Sequence, residues 1–534
     1  MSKMMTMRRH LAAIVLLVLA CGVWANGEVA VLPGAQYVLR NAATGSYITK
    51  DGGTTDNELE AANWRVMTND TIFVASPNMA CYIHSDETIL QLVYSSFSWK
   101  VNFSPQANTT DMRASQTTPG AFNFHYRYLA SNRYLGVEVD GEAGERLAPV
   151  RDASPYSDWL FVPSSHPKDY SYRIWSMNRS SGNSRYCIAY RSHDPKGEPI
   201  WLSGWMAVPT SGQGGASVAD HFLFSAHYTM CKESQWPTAS DPLDAYSFKF
   251  LSNKPIMVEP DFLGCGITAD RDHPYIAADI MAEESVDMLF AAYDLMRDLH
   301  QTDCRQARMP TYGIGSSQGA SIILACQKYV ETSPRITDEQ RDIINWVRTN
   351  ACAGAYNPLA TLSQYLYQDE LQVSNVVPLL IIGMVAGFPD IFGETKAEEY
   401  FSDALLEAGI MEMIRSHKYD SEEIANAINK SCGSNMHSIL STEAQDLNSD
   451  LSQKLLKAFG QCDLTRDWSP KADVILYYYP DDEVVPHLNL VSVTKGLQDK
   501  CQGKFETRQT SLGIRHVVAC ANFFATIIFG GYKE

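Results

Sequence analysis

The spacing of apolar and polar positions changes character once along the chain, near residue 170. Between residues 31 and about 165 the apolar positions come in short alternating runs, such as Tyr37-Val-Leu-Arg-Asn, a Thr44-Gly45-Ser46 turn and then Tyr47-Ile48. A period of two broken by Gly, Asn and Thr clusters predicts strands joined by tight turns. No run there has the spacing of an amphipathic helix. Beyond residue 170, Tyr172-Arg-Ile-Trp-Ser-Met, Arg185-Tyr-Cys-Ile-Ala-Tyr-Arg-Ser and Pro199 to Pro209 predict successive antiparallel strands. Asp220 to His227 and Lys254 to Pro260 are nearly continuous apolar runs, the pattern of parallel strands buried on both faces. A helix follows, with Val286, Leu289, Phe290 and Tyr293 on one face, and then a short strand at Met309 to Ile314. Alternation of strand and helix predicts a parallel sheet covered on both sides.

Three segments of the first region close on a tryptophan: Asn63-Trp64-Arg65-Val66, Ser98-Trp99-Lys100-Val101 and Asp158-Trp159-Leu160-Phe161. A strand, a polar turn and a second strand ending on tryptophan, met three times, is an internal repeat of all-β type. It resembles the ricin-type lectin modules, which implies a β-trefoil over residues 31–165. The Gln of their Q-x-W signature is absent here, so the region is expected either to dock carbohydrate or protein or to serve as a spacer.

With 534 residues, two or three domains are expected. The formal net charge of −18 argues against a nucleic acid or anionic membrane held by electrostatics. Residues 1–25 carry Lys3, Arg8 and Arg9, an apolar run from Leu11 to Cys21 and Val23-Trp24-Ala25 before Asn26. This is the layout of a cleaved export signal, and the run is too short to span a bilayer. The chain is therefore expected to be secreted, periplasmic or at the cell surface. Cys21 after Val18-Leu19-Ala20 offers an alternative, a lipoprotein anchor. No later stretch is long and apolar enough for a membrane span. Export permits disulfides, and scattered cysteines without a CxxC pair give no zinc pattern. No metal or organic cofactor is expected.

Gly315-Ser316-Ser317-Gln318-Gly319 has the G-x-S-x-G pattern of a nucleophile elbow, where a serine stands on a strained strand-to-helix turn. The helix N-terminus behind Ser317 supplies free N–H groups and the positive end of a dipole. A serine hydroxyl needs a base, and the base an orienting carboxylate. Asp473 to Pro480 predicts a strand stopped by proline, followed by Asp481 and Asp482, either of which could be the acid. Phe505 to Thr510 predicts the last strand, with His516 where it gives way to the apolar helix Val517–Phe529. His487 is the rival base, only five residues beyond Asp482 on one loop.

Gly197 to Pro209, then Glu259-Pro-Asp-Phe-Leu-Gly-Cys-Gly with His273-Pro-Tyr, then the elbow, resemble the secretory lipases and esterases of the α/β-hydrolase superfamily over roughly residues 170–534. The resemblance implies a Ser317–His516–Asp482 triad, Asp482 being favoured by its D-x-x-V-P spacing, and a small-molecule or lipid ester as substrate. It implies oxyanion donors at Gln318 and Tyr228, where many relatives have glycine at the second position. His227 beside it could equally be structural. A helical cap is implied over residues 356–469, carrying apolar helical runs at Val376–Phe388 and Tyr400–Leu406. A serine peptidase of the same fold and a non-catalytic binding protein are the alternatives, the second disfavoured by an intact serine, acid and histidine set.

Overall fold

Trp64 and Trp159 are fully buried, and each lies on a strand paired with the same neighbour, β1 (Gln36–Asn41). The computed structural model describes residues 36–49, 52–68, 78–85, 88–95, 98–104, 110–128, 131–141, 144–163, 172–180, 183–209, 219–239, 255–298, 309–361, 376–433, 435–510, 515–528 and 531–533. The expected export signal and Cys21 lie outside them. The chain divides into two compact units, Met1–Asn178 and Arg179–Glu534.

The first unit is all-β, with one sheet of twelve strands. After β1 come β2 (Tyr47–Ile48), β3 (Thr54–Thr55), β4 (Trp64–Thr68), β5 (Asn78–Ser85), β6 (Thr88–Ser95) and β7 (Ser98–Ser104). Then follow β8 (Thr110–Ala114), β9 (Phe122–Tyr128), β10 (Ser131–Asp140), β11 (Gly144–Val150) and β12 (Trp159–Pro163). The pairings β1–β4, β4–β5, β5–β8, β8–β9, β9–β12 and β12–β1 return to their start, so these strands close a ring without an edge. The remaining strands pair as three hairpins, β2–β3, β6–β7 and β10–β11. Leu39, Trp64, Met112, Phe124, Leu135 and Trp159 fill the centre. Trp99, the middle tryptophan of the sequence repeat, sits on hairpin strand β7 and packs only partly buried against that core. On β8, the ring strand that repeats β4 and β12, the buried residue is Met112. Ring and hairpin strands alternate alike, so periodicity could not tell them apart.

The second unit is built on a nine-stranded sheet whose first strand, β13 (Tyr172–Ser180), runs across the boundary at Asn178; the others are β14 (Asn183–His193), β15 (Pro199–Pro209), β16 (Phe222–Ala226), β17 (Ile256–Pro260), β18 (Thr311–Ser316), β19 (Trp346–Cys352), β20 (Asp473–Tyr478) and β21 (Phe505–Gln509). Its order is β13-β14-β15-β17-β16-β18-β19-β20-β21. β14, β15 and β17 are antiparallel neighbours, and every pairing from β17 to β21 is parallel. The uniformly buried β16 and β17 match the continuous apolar runs that predict them. Helix α1 (Ala278–Asp298) buries Val286, Leu289 and Phe290, and its Tyr293 packs on Phe222 with ring centroids 4.3 Å apart. Helix α2 (Gln318–Thr332) starts directly from β18.

Between β19 and β20 the chain inserts a helical segment with α3 (Val376–Gly387), α4 (Asp403–Glu407), α5 (Ile410–Arg415), α6 (Ser421–Cys432) and α7 (Asp450–Gln461). Gly383 and Gly387 of α3 rest on the His273-Pro-Tyr segment: an added Cβ would lie 2.6 Å from Tyr275 Cβ and 2.5 Å from Ala277 Cβ. The run Tyr400–Leu406, read as one helix, is broken. Tyr400 ends a 3₁₀ turn, Phe401 bridges to Leu440, and Ser402 accepts the Leu405 N–H to cap α4. A serine that can cap stops an apolar run from reading through. All nine cysteines with described side chains are free thiols, most of them buried. Among the described residues no helix is long and apolar enough to cross a membrane.

Candidate active site

The elbow forms because its backbone has no room for side chains. Ser317 joins β18 to α2 with φ 55° and ψ −121°, a conformation that costs a non-glycine residue about 1–3 kcal/mol. A Cβ on Gly315 would strike the Gly319 carbonyl, and one on Gly319 the carbonyls of Ala226 and His227. The Ser317 N–H donates to Cys352 O at 2.8 Å, tying the turn to the end of β19. Ser317 itself is partly exposed above the carboxyl ends of the parallel strands, where open α/β sheets place their chemistry.

Helix α8 (His516–Ile528) delivers His516 as its first residue. His516 Nε2 lies 2.9 Å from Ser317 Oγ, and Nδ1 lies 2.8 Å and 3.0 Å from the two carboxylate oxygens of Asp482. A carboxylate only accepts, so Nδ1 carries a proton, and in the neutral ring the Nε2 lone pair faces the hydroxyl. Asp482 Oδ1 also accepts the N–H groups of Val484 and Val485, at 2.9 Å and 2.7 Å, which fixes the carboxylate. The His516 N–H donates to Glu483 Oε2 at 2.9 Å. Burial disfavours the imidazolium, yet the Asp482 hydrogen bond and the Cys520 sulfur outweigh it and hold His516 well above the usual histidine value.

The structure thus brings Ser317, His516 and Asp482 together. The rivals stand apart. Asp481 and His487 are exposed, and His487 leans on Tyr478 with ring centroids 5.5 Å apart.

Gln318 follows the serine as the first residue of α2, where the helix leaves its N–H without an internal partner. Tyr228 lies just beyond β16, whose Ala226 pairs with Gly315 of the elbow strand, and it is 41% exposed. His227 is buried. Its Nδ1 contacts Tyr228 O at 2.6 Å, its Nε2 contacts Asp261 O at 3.2 Å, and burial pushes its pKa down to about 4.

The Pro-Asp-Phe-Leu-Gly segment, to which spacing alone assigned no role, organises this side of the site. Buried Asp261 accepts from Ser203 Oγ, from Thr238 Oγ1 and from the Thr238 N–H. Phe262 takes φ 73° and packs against the His227 ring at a tilt of 36°, with centroids 4.2 Å apart. A positive φ at phenylalanine leaves no pattern in an apolar run. Nearby, the 269–275 loop, α3 and α5 enclose a cavity of about 300 Å³ with Leu379, Ile382 and Ile414 among its walls. On β14 and α1, His193, Glu283 and Asp287 bring potential ligand atoms within 4.8 Å of one another. Arg335 pairs with Glu283 and Ser192 donates to Asp287 there, so protein partners already engage the carboxylates.

Among solved structures, a candidate hydrolase from Legionella pneumophila matches with a TM-score of 0.53 and 18% identity, over 66% of this chain and 88% of its own. The rice cell wall degrading esterase LipA from Xanthomonas oryzae matches with a TM-score of 0.50 and 17% identity, over 69% of this chain and 92% of its own. No family model and no curated protein sequence matches the chain. At this identity the likeness is one of fold, and the fold is of the α/β-hydrolase type.

Proposed function

We propose that the protein is an exported serine hydrolase of carboxylic esters, of the lipase or carboxylesterase kind. The observation that carries the reading is the continuous line from Ser317 Oγ through His516 to Asp482, at 2.9 Å and 2.8 Å. In the reaction His516 Nε2 takes the hydroxyl proton as Ser317 Oγ attacks the ester carbonyl, and Asp482 stabilises the imidazolium that forms. The tetrahedral oxyanion is received by the Gln318 N–H and by the loop at Tyr228. Collapse expels the alcohol, which takes the proton from His516 and leaves an acyl-serine. Water, deprotonated by the same imidazole, attacks the acyl-serine, releases the carboxylic acid and restores the serine. That one solved structure of this fold is described as an esterase agrees with this choice of substrate. The helical insertion between β19 and β20 acts as the cap that screens the acyl group from water.

For the first unit we read a β-trefoil, supported by the closed ring of six strands and the three hairpins repeating along it. Its expected role is to dock carbohydrate or protein or to serve as a spacer.

The test uses a fluorophosphonate probe and nitrophenyl esters of short and long acyl chains, on the full-length protein and on Ser317→Ala. Labelling and ester turnover that vanish in the variant support the reading. An unlabelled wild-type protein removes it, and amide substrates cleaved faster than esters move it to a peptidase.

A further inference from the structure

The His273-Pro-Tyr segment holds the residue that follows the nucleophile. Gln318 is only 4% exposed, and a buried amide is costly unless it is paired. Its Nε2 lies 2.5 Å from His273 Nε2 and 3.1 Å from Tyr275 O. The proton assignment follows from the partners. His273 Nδ1 is 2.6 Å from Leu263 O, a group that only accepts, so Nδ1 carries the hydrogen and Nε2 is a bare lone pair. Tyr275 O is also an acceptor. Only the NH₂ side of the amide can meet both, so the side chain of Gln318 is locked in one orientation.

His273 is in turn braced from several directions. Phe262 stacks parallel to it, with centroids 5.9 Å apart and planes 10° from parallel. Gly264, at φ 83°, presses against its backbone so closely that a Cβ would lie 2.6 Å from His273 Cα. Phe262 also packs, tilted, against His227, and the Tyr275 hydroxyl meets Thr229 Oγ1 at 2.7 Å. One ring and one tyrosine therefore link Gln318 to the 227–229 loop.

Resting on the hydrolase reading above, we infer that His273 is a positioning residue for the oxyanion hole. By accepting from Gln318 Nε2 it sets the rotation of the strained Ser317–Gln318 peptide, and so aims the Gln318 N–H at the developing oxyanion. The role needs a neutral imidazole, and burial supplies it by pushing the His273 pKa down to about 3.

The experiment compares His273→Phe, which keeps the stacked ring but loses the acceptor, with His273→Gln, whose carbonyl can accept in its place. Gln318→Met and the double variant His273→Phe/Gln318→Met complete a cycle. Each is assayed for kcat and KM on nitrophenyl acetate, for inhibition by a trifluoromethyl ketone that forms a tetrahedral adduct, and for thermal unfolding. Misaligning one oxyanion donor is expected to lower kcat of His273→Phe by roughly 10- to 100-fold with KM within about twofold, since losing such a donor outright costs 10²–10³. Ketone affinity should fall in parallel. His273→Gln should recover most of the activity, and the double variant should be no worse than Gln318→Met alone. Wild-type kcat in His273→Phe, a loss confined to KM, or multiplicative losses in the double variant each overturn the inference. Should His273→Phe not fold, His273→Gln with activity no higher than Gln318→Met overturns it equally. An inactive wild-type protein would instead fail the hydrolase reading, so the two failures are distinct.

Discussion

Cys520 lies one helical turn beyond His516, its sulfur 3.9 Å from the Nε2 that faces Ser317. Cys352, from the end of the strand next to the elbow, contacts that sulfur in turn. The contact with Cys352 and the nearby imidazole favour the Cys520 thiolate despite burial, and the thiolate favours a charged His516. A base must be neutral to accept the serine proton, so activity should appear as pH rises through the His516 pKa. Replacing Cys520 by Ala removes one cause of the raised value. The acid limb of kcat/KM for nitrophenyl acetate should therefore move to lower pH in Cys520→Ala, while the plateau stays within a fewfold of wild type. A limb that stays put or moves up would remove the thiol from the account.

The Asp482 carboxylate orients the imidazole and is itself pinned by two backbone N–H groups, so Asp482→Asn should keep its place and lose its charge. An amide there can donate to Nδ1 and stabilise the wrong tautomer. A fall in kcat on the order of 10³–10⁴ is expected, with KM little changed. Asp481→Asn and His487→Ala, on exposed neighbours, should stay within about twofold in the same assay. Equal losses at Asp481 and Asp482 would contradict the geometry.

Legibility in the sequence followed locality. The elbow could be read because a nucleophile on a tight turn demands glycines at fixed spacing, and Gly315 and Gly319 meet backbone atoms that no side chain could share. His516 and Asp482 could be placed because each ends a strand pattern in the order this fold uses. The middle repeat of the first unit went astray at Trp99, since a tryptophan on a hairpin strand alternates like one on the ring. The bracing at Phe262 and His273 left no local signal. It depends on positive φ angles at Phe262 and Gly264 and on contacts between loops distant in sequence.

Gly319→Ala gives a direct check on the elbow. The added methyl would meet the carbonyl of Ala226, which ends central strand β16 and cannot swing aside, and that of His227 just beyond it. Forced overpacking of this kind costs about 1–3 kcal/mol. The midpoint of urea unfolding, followed by tryptophan fluorescence, should fall accordingly, and fluorophosphonate labelling should fall with it. Unchanged stability and labelling would mean the turn is looser than its contacts imply.

Acid sensitivity is expected from His227. The residue is 2% exposed, and burial lowers its pKa to about 4 against an ordinary value of 6.5. Above pH 6.5 both folded and unfolded states hold it neutral, so it contributes no pH dependence there. As pH falls below 6.5 the unfolded chain takes up the proton first, and stability is lost progressively until about pH 4, where the folded form protonates too. A depression from 6.5 to about 4 amounts to about 3 kcal/mol at most. His227→Phe keeps an aromatic ring against Phe262 and cannot titrate. The difference in unfolding midpoint between pH 7 and pH 4.5 should therefore be smaller in His227→Phe than in wild type, measured by urea titration of the full-length protein. An identical pH dependence in the two proteins would show that His227 is not held neutral against water.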